Sequence, residues 1–263
     1  MALERVVGER FEDPTAKNGS RAIGPEWEDV YRKGRGVRAA KRAMDIWLAL
    51  VLIVLALPLM LGIALVIKLD SRGPILYRCV RVGARGRTFL MLKFRKMHVG
   101  AQGPALTIDH DARFTRVGQF LANTKLDEFP QLWNVLRGQM SIVGPRPEDP
   151  QFVAVLPDEY ALILTVRPGL TGYTQLALFD EAEVLDPTDP EGHYATQLMP
   201  KKAALDLLYV RKLSVRGDLN IVAWTAVRTL TGRSVAVNRA SGAITFRRRP
   251  SPAPVLTPEQ SVS

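Results

Sequence analysis

The segment IWLALVLIVLALPLMLGIALVI, Ile46 to Ile67, runs for 22 residues without a charge. At a rise of 1.5 Å per residue a helix of that length crosses a hydrocarbon layer of roughly 30 Å. A chain that contains it must bury it in a core or give it to a membrane, and its length favours the membrane. Two details constrain the geometry. Pro58, near the middle, removes one helix hydrogen bond and favours a bend. Arg35, Arg38, Lys41 and Arg42 precede the segment, while Lys68, Arg72, Arg78 and Arg81 follow it. Positive charge at both ends assigns both to the cytoplasm. A helix that enters, bends at Pro58 and returns to the same face satisfies both details; a straight span with basic residues on each side is the alternative.

The rest of the chain is able to fold around a core. It has 263 residues, 47% of them hydrophobic, which suits one domain with extensions or two small ones. A formal charge of +10 directs it toward polyanions: nucleic acid, an anionic membrane surface or phosphorylated substrates. The arginine-rich stretch 228–249 keeps a nucleic-acid role open, but that role leaves the apolar segment unexplained. Cys79 is the single cysteine, so no internal disulfide is possible and a reducing, cytosol-facing location fits. Neither cysteine nor histidine spacing offers a zinc site, and His98, His110 and His193 share no ligand spacing. The first 40 residues lack an apolar h-region, so no cleavable signal peptide is expected.

After the turn signal Ser71-Arg72-Gly73-Pro74, the β-rich runs of ILYRCVRVGARGRTFLMLKFRKM predict two short strands or a hairpin. From Lys68 to Met97 there are nine Lys or Arg against one acid, Asp70, a face suited to phosphates or lipid head groups. Residues 113–123 and 157–166 read as helical, VRPGLTGYTQLAL as a turn into a strand, FDEAEVLDPTDPEG as an acidic loop, and 201–231 as one or two helices. From Arg247 the chain is rich in Arg, Pro and Ser and reads as disordered. The expected division is a polar extension over 1–40, the membrane helix over 41–70, a catalytic domain over 71–231 and a basic tail over 232–263.

In TKLDEFPQLWNVLRG, residues 124–138, the acids Asp127 and Glu128 stand ahead of Leu126, Phe129, Leu132, Trp133 and Leu136 at three- and four-residue steps. That spacing predicts one amphipathic helix ending near Gly138, with Trp133 in the core rather than serving as a sugar platform. Thr124 is placed to cap it, and acids in a first turn face the positive end of the helix dipole. This structural explanation suffices for the pair. The chemical one is that a carboxylate at a helix N-terminus attacks a phosphorus atom while its neighbour holds a divalent metal. Such a site needs cations, and Lys93, Arg95, Arg113, Arg146 and Arg167 are candidates. Gln131 and Asn134 share the dyad helix, where substrate contact and a plain polar-face role are equally open. Asp109 and Asp111 are placed to reach a metal or to shape a turn, and the turn is the favoured reading.

KRAMD, the proline-broken apolar segment, GPILYRCVRVGARGR, KFRKM, DARFTRVGQFL, TKLDEFPQLWNVLRGQMSIVGPRPE, RPGLTGY and LDLLYVRKLSVRGDL follow one another between Lys41 and Leu219. In that order they resemble the bacterial sugar transferase family, monotopic phosphoglycosyl transferases also described as polyprenyl-phosphate hexose-1-phosphate transferases. The resemblance implies an α/β, mostly helical, membrane-associated catalytic domain with short strands and an N-terminal re-entrant helix broken at Pro58. It implies that Asp127 attacks the β-phosphate of a UDP-sugar and holds the sugar phosphate covalently, that UMP leaves, and that undecaprenyl phosphate accepts the sugar phosphate. Glu128, with Asp127, then matches the Mg²⁺-associated acid, and Lys93 and Arg146 match cations that clamp phosphate oxygens. The implied location is the cytoplasmic face of the bacterial inner membrane, at the start of surface glycan synthesis; monomer and homodimer both stay open.

The chain departs from the family pattern at three places. Basic residues are frequent five and four positions before the nucleophile, where this chain has Ala122 and Asn123, with Lys125 a candidate substitute. The helix break is often Ser-Pro, here Leu57-Pro58. Lys96 stands where Thr is common. The first departure motivates a rival reading, a non-catalytic membrane-anchored scaffold.

Overall fold

The computed structural model describes residues 25–103, 106–107, 111–178, 185–186 and 188–247, with side chains from residue 36 onward. Helix α1, Pro25–Asp70, is 46 residues long and continuous through Pro58. The polar extension expected up to residue 40 is therefore already helical from Pro25. Within α1 the stretch Gly36–Asp70 is long and apolar enough to cross a membrane, and 11% of its most apolar window is buried. A core helix of a soluble protein would bury most of that window, so the exposure suggests membrane association.

Burial along α1 is uneven in an informative way. Lys41, Asp45 and Ala49 are buried at one end, and Ile63 and Ile67 at the other. Between them Val54, Leu55, Leu57, Pro58 and Leu59 are all exposed. The helix thus has two arms that pack on the domain and a middle, around the proline, that does not.

Strands β1 (Leu76–Val82) and β2 (Thr88–Phe94) form the expected antiparallel hairpin. Helix α2 (Arg116–Thr124) starts at Thr115, whose side chain accepts a hydrogen bond from Gly118 N and so satisfies one free donor of the first turn. The single helix expected across the dyad is instead a 3₁₀ turn, Leu126–Glu128, followed by the short helix α3, Gln131–Leu136. Thr124 does not cap it. Its hydroxyl donates to Phe120 O within α2, and Lys125 turns the chain through a left-handed conformation with φ 59°. Trp133 is exposed rather than in the core, with the Arg137 guanidinium 5.5 Å from its ring centroid.

Beyond α3 the chain forms β3 (Ser141–Val143), the short helices α4 (Pro150–Val153) and α5 (Pro157–Ile163), and β4 (Gly169–Thr171), which pairs in parallel with β3. There follow α6 (Tyr173–Ala177), α7 (Pro190–His193), a π turn (Tyr194–Leu198), α8 (Met199–Arg211) and α9 (Val215–Thr231). Where GPRP crosses RPG, a Cβ built on Gly169 would lie 2.0 Å from Gly144 N, so the crossing requires a residue without a side chain. Strands β5 (Val235–Val237) and β6 (Ile244–Phe246) pair as a hairpin whose Val235 and Ile244 join the main core. The folded part therefore continues past Thr231 to residue 247. The rest of the tail, residues 179–184 and 187 of the acidic loop, Asp109 and His110 lie outside the described residues.

The main core gathers Ala49 of α1 with residues of β2, α3, β3, α6, α8, α9, β5 and β6. A separate small core joins Ile63 and Ile67 of α1 to Phe94 and Leu121, with Leu126 and Phe129 packed against it. This second core matters most for function, because Leu126 and Phe129 flank the dyad: the far arm of α1 supports the turn that carries it.

Candidate active site

Asp127 and Glu128 sit on the 3₁₀ turn between α2 and α3. Asp127 is buried, at 2% exposure. Lys93, near the end of β2, points its ammonium at both acids, 2.9 Å from Glu128 Oε1 and 3.9 Å from Asp127 Oδ2. Lys96 lies 3.9 Å from Asp127 Oδ2, and an Arg146 nitrogen lies 3.5 Å from Glu128 Oε1. Residues 93, 96, 127, 128 and 146, from three separate stretches of chain, thus meet around one carboxylate pair.

Burial sets the electrostatics and the cations modify it. Burial opposes ionisation of Glu128, but Lys93 and Arg146 outweigh it and hold its pKa at about 2. Burial raises the pKa of Asp127, and the charge of Glu128 adds to the rise, while Lys93 and Lys96 oppose it. Burial would lower the pKa of the Lys93 ammonium, yet Glu128 and Asp127 lift it above its ordinary value. Lys96 is pulled down to about 8, chiefly by burial. The pair is therefore differentiated: Glu128 is a firmly ionised anchor for cations, and Asp127 is a less comfortable charge beside it.

Neighbouring residues hold this arrangement in place. The Asn134 side chain lies along the edge of β2, accepting from Leu92 N at 3.0 Å and donating to Leu90 O at 2.8 Å. Asn134 thus registers the strand of Lys93 to the helix that follows the dyad. Gln131 is buried in the first turn of α3. Two residues past Arg146, Glu148 pairs with buried Lys202 at 2.7 Å and accepts from Tyr194 at 2.8 Å, tying the GPRPE loop to α8.

Three expected phosphate contacts lie elsewhere. Arg95 is buried and donates to Arg72 O, Ser71 O and Ser71 Oγ at the C-terminus of α1, where a cation satisfies free carbonyls. Arg113 is paired with Asp111, at 2.5 Å; the carboxylate also accepts from Arg113 N, so Asp111 shapes a turn as expected. Arg167 donates to Gly138 O beyond the end of α3. Lys96, a departure from the family pattern, joins the cations at the dyad, and its place three residues after Lys93 in the same basic run is the signal for it. Asn123 is bonded to Gln119 along α2, while Lys125 lies close enough to influence both acids.

Among the described residues no group of three or more His, Cys, Asp or Glu stands ready to hold a metal. Two adjacent carboxylates are nevertheless a suitable donor set for Mg²⁺, which binds through one or two carboxylates and completes its shell with water and substrate phosphates. Asp127 and Glu128 would be those ligands.

A sequence profile described as bacterial sugar transferase matches residues 36–232. The chain is 42% identical over 197 residues to the UDP-glucose:undecaprenyl-phosphate glucose-1-phosphate transferase of Caulobacter vibrioides, covering 73% of this chain and 70% of that one. It is 37% identical over 204 residues to the protein of the same name in Escherichia coli, covering 75% of this chain and 41% of that one. It is 36% identical over 200 residues to the exopolysaccharide production protein PSS of Rhizobium leguminosarum, covering 73% of this chain and 95% of that one. The chain thus spans less than half the length of the Escherichia coli relative and nearly all of the Rhizobium one. The matched region contains α1 from residue 36 onward, the dyad turn and every cation around it, and the chain belongs to the bacterial sugar transferase family.

Proposed function

We propose that the protein transfers a sugar-1-phosphate from a UDP-sugar to undecaprenyl phosphate at the cytoplasmic face of a bacterial inner membrane, as a first step in surface glycan synthesis. The observation that carries this reading is a buried carboxylate, Asp127, in a cationic cluster on a turn supported by an exposed apolar helix. The names of the relatives supply the substrate class.

In the first half-reaction an Asp127 oxygen attacks the β-phosphorus of the UDP-sugar. A P–O bond to Asp127 forms as the bond to the bridging oxygen breaks, and that oxygen leaves on UMP with the electron pair. Lys93 and Arg146 bind non-bridging oxygens and offset their charge. Mg²⁺, when bound, adds charge neutralisation at the diphosphate. In the second half an oxygen of undecaprenyl phosphate attacks the same phosphorus, freeing Asp127 as the carboxylate and giving undecaprenyl-diphospho-sugar. An acceptor of this kind keeps its phosphate at head-group depth, and the dyad turn, packed on the second arm of α1, is suited to that depth. Contact of both arms with one domain and exposure of the Pro58 region between them support a re-entrant helix over a straight span.

The test is UMP release by the full chain in detergent with UDP-glucose, Mg²⁺ and undecaprenyl phosphate. Wild-type protein is expected to release UMP, and with acceptor omitted its intact mass is expected to rise by one glucose phosphate. Asp127→Asn should abolish both; UMP release by that variant at the wild-type rate would overturn the nucleophile assignment.

A further inference from the structure

Glu128 and Asp127 do not share their cations equally. The short contact of Lys93 goes to Glu128, and the Arg146 contact goes to Glu128 as well. Among the described residues nothing donates a hydrogen bond to the Asp127 carboxylate, and the cations within 4 Å of it are Lys93 and Lys96, each at 3.9 Å. Only Lys96 of the two has Asp127 as its single carboxylate partner within that distance among the described residues.

The chain holds Lys96 there from several sides. Its carbonyl accepts from Thr115 N at 3.0 Å, and Gly118 sits so close that a Cβ would lie 1.8 Å from that oxygen. The N-terminus of α2 therefore sets the backbone of Lys96. The ammonium lies 5.3 Å from the ring centroid of Phe114, an attractive cation–aromatic contact, and the side chain is 24% exposed. A freely solvated surface lysine would have none of these restraints.

We infer that Lys96 is a dedicated electrostatic partner of Asp127: it stabilises the carboxylate by charge at a distance too long for a hydrogen bond, leaving the attacking lone pairs uncovered. The inference rests on the nucleophile assignment proposed above. It gives the two lysines different work. Lys93 bridges the two acids, whereas Lys96 has Asp127 as its one carboxylate within 4 Å among the described residues, so a neutral residue there should slow attack on the UDP-sugar and leave acceptor binding intact.

The experiment measures single-turnover UMP release from UDP-glucose, without undecaprenyl phosphate, by full-length wild type, Lys96→Met and Lys96→Arg. Lys96→Met keeps the length of the side chain without its charge, and its rate is expected to fall about 10- to 100-fold, with kcat/KM for undecaprenyl phosphate in steady state unchanged. Lys96→Arg is expected to stay within about threefold of wild type, because the charge is retained. A Lys96→Met rate within twofold of wild type would overturn the inference, and so would a Lys96→Arg rate as low as that of Lys96→Met, since charge would then not be what matters. Absence of UMP release from wild type counts against the proposed function instead, so the two failures are distinguishable.

Discussion

Lys41 and Asp218, 177 residues apart in sequence, are joined by a 2.5 Å ion pair that is almost wholly buried. Lys41 also donates to Val143 O at 2.7 Å, and Tyr209 donates to Asp218 Oδ1 at 2.9 Å. One turn along α1, Asp45 accepts from Ser141 Oγ and Ile142 N, each at 2.9 Å. KRAMD and RGDL are therefore fasteners: they fix the first arm of α1 to strand β3 and helix α9. Asp218→Asn would leave the Lys41 charge buried without its counter-ion, at a cost of about 3–5 kcal/mol. The expected outcome is a lower melting temperature in detergent and faster proteolysis near α1. The pair Lys41→Met with Asp218→Leu should lose less than Asp218→Asn alone, because no uncompensated charge remains.

Much of this was legible in advance, and the reasons are physical. Charge-free length exposes α1, and β-rich runs flanking Gly83 and Gly86 expose the β1–β2 hairpin. The dyad, Lys93 and Arg146 were named from motif order, and folding brings them together. What the sequence concealed was local competition for side chains. Arg95 sits in a strongly basic run and looks like a phosphate ligand, yet the free carbonyls at the end of α1 claim it. Asn134 looks like a polar-face residue, yet the edge of β2 claims it. The heptad-like spacing of Leu126 to Leu136 predicts one helix because periodicity does not register a single left-handed residue at Lys125. That residue separates α2 from the dyad turn.

Replacing Asn134 tests the registration of strand and helix. Asn134→Leu preserves volume but leaves Leu92 N and Leu90 O without their side-chain partner, and at this partly buried edge the loss is expected near the lower end of the roughly 1–3 kcal/mol that an unsatisfied group costs. A drop in melting temperature is expected, together with slower UMP release as Lys93 loses its fixed place beside Glu128. Wild-type kinetics in Asn134→Leu would show that β2 keeps its register without this bond.

Gly118 is predicted to tolerate no side chain. The atom that Cβ would strike is the Lys96 carbonyl oxygen, at 1.8 Å, which cannot rotate away as a flexible side chain would. Either α2 or the end of β2 must move, and both bound the site. Gly118→Ala is expected to destabilise the fold by roughly 1–3 kcal/mol as an overpacking substitution, despite the better helix propensity of alanine. Thermal melting of Gly118→Ala against Gln119→Ala checks this, since position 119 lies on the same helix; equal melting temperatures would contradict the clash.

Topology separates the bent helix from a straight span. Cysteines introduced at Arg35 and Arg72, after Cys79→Ser removes the one native thiol, bracket the apolar part of α1. With right-side-out cells, a membrane-impermeant maleimide is expected to label neither position, and with inverted vesicles both. Labelling of one position in each preparation would establish a full crossing and remove the re-entrant reading, while leaving the geometry of the dyad untouched.

Asp206 yields the most specific dependence on pH. Its Oδ1 accepts from Thr174 at 2.6 Å, its Oδ2 is buried without a hydrogen-bond partner, and the residue is 1% exposed. Burial is the main reason its pKa rises from 3.8 to about 7, against the pull of Thr174 and Lys202. For an acid whose pKa is higher in the folded state, the folded protein holds the proton between the two values while the unfolded chain has released it. Stability from this group is therefore full below pH 3.8 and is lost as pH rises toward 7, a change of up to ~4 kcal/mol. Glu128 works in the opposite sense, its contribution being lost as pH falls from 4.5 toward 2, so the raw wild-type profile mixes the two. The difference between wild type and Asp206→Asn isolates the first. Asn keeps the shape, cannot ionise, and supplies a permanent amide donor in place of the acid proton. Relative to wild type, the variant is expected to gain melting temperature from about pH 5 to about pH 7 and to level off above it, and a difference that is flat across that range would show that Asp206 keeps an ordinary pKa in the folded protein.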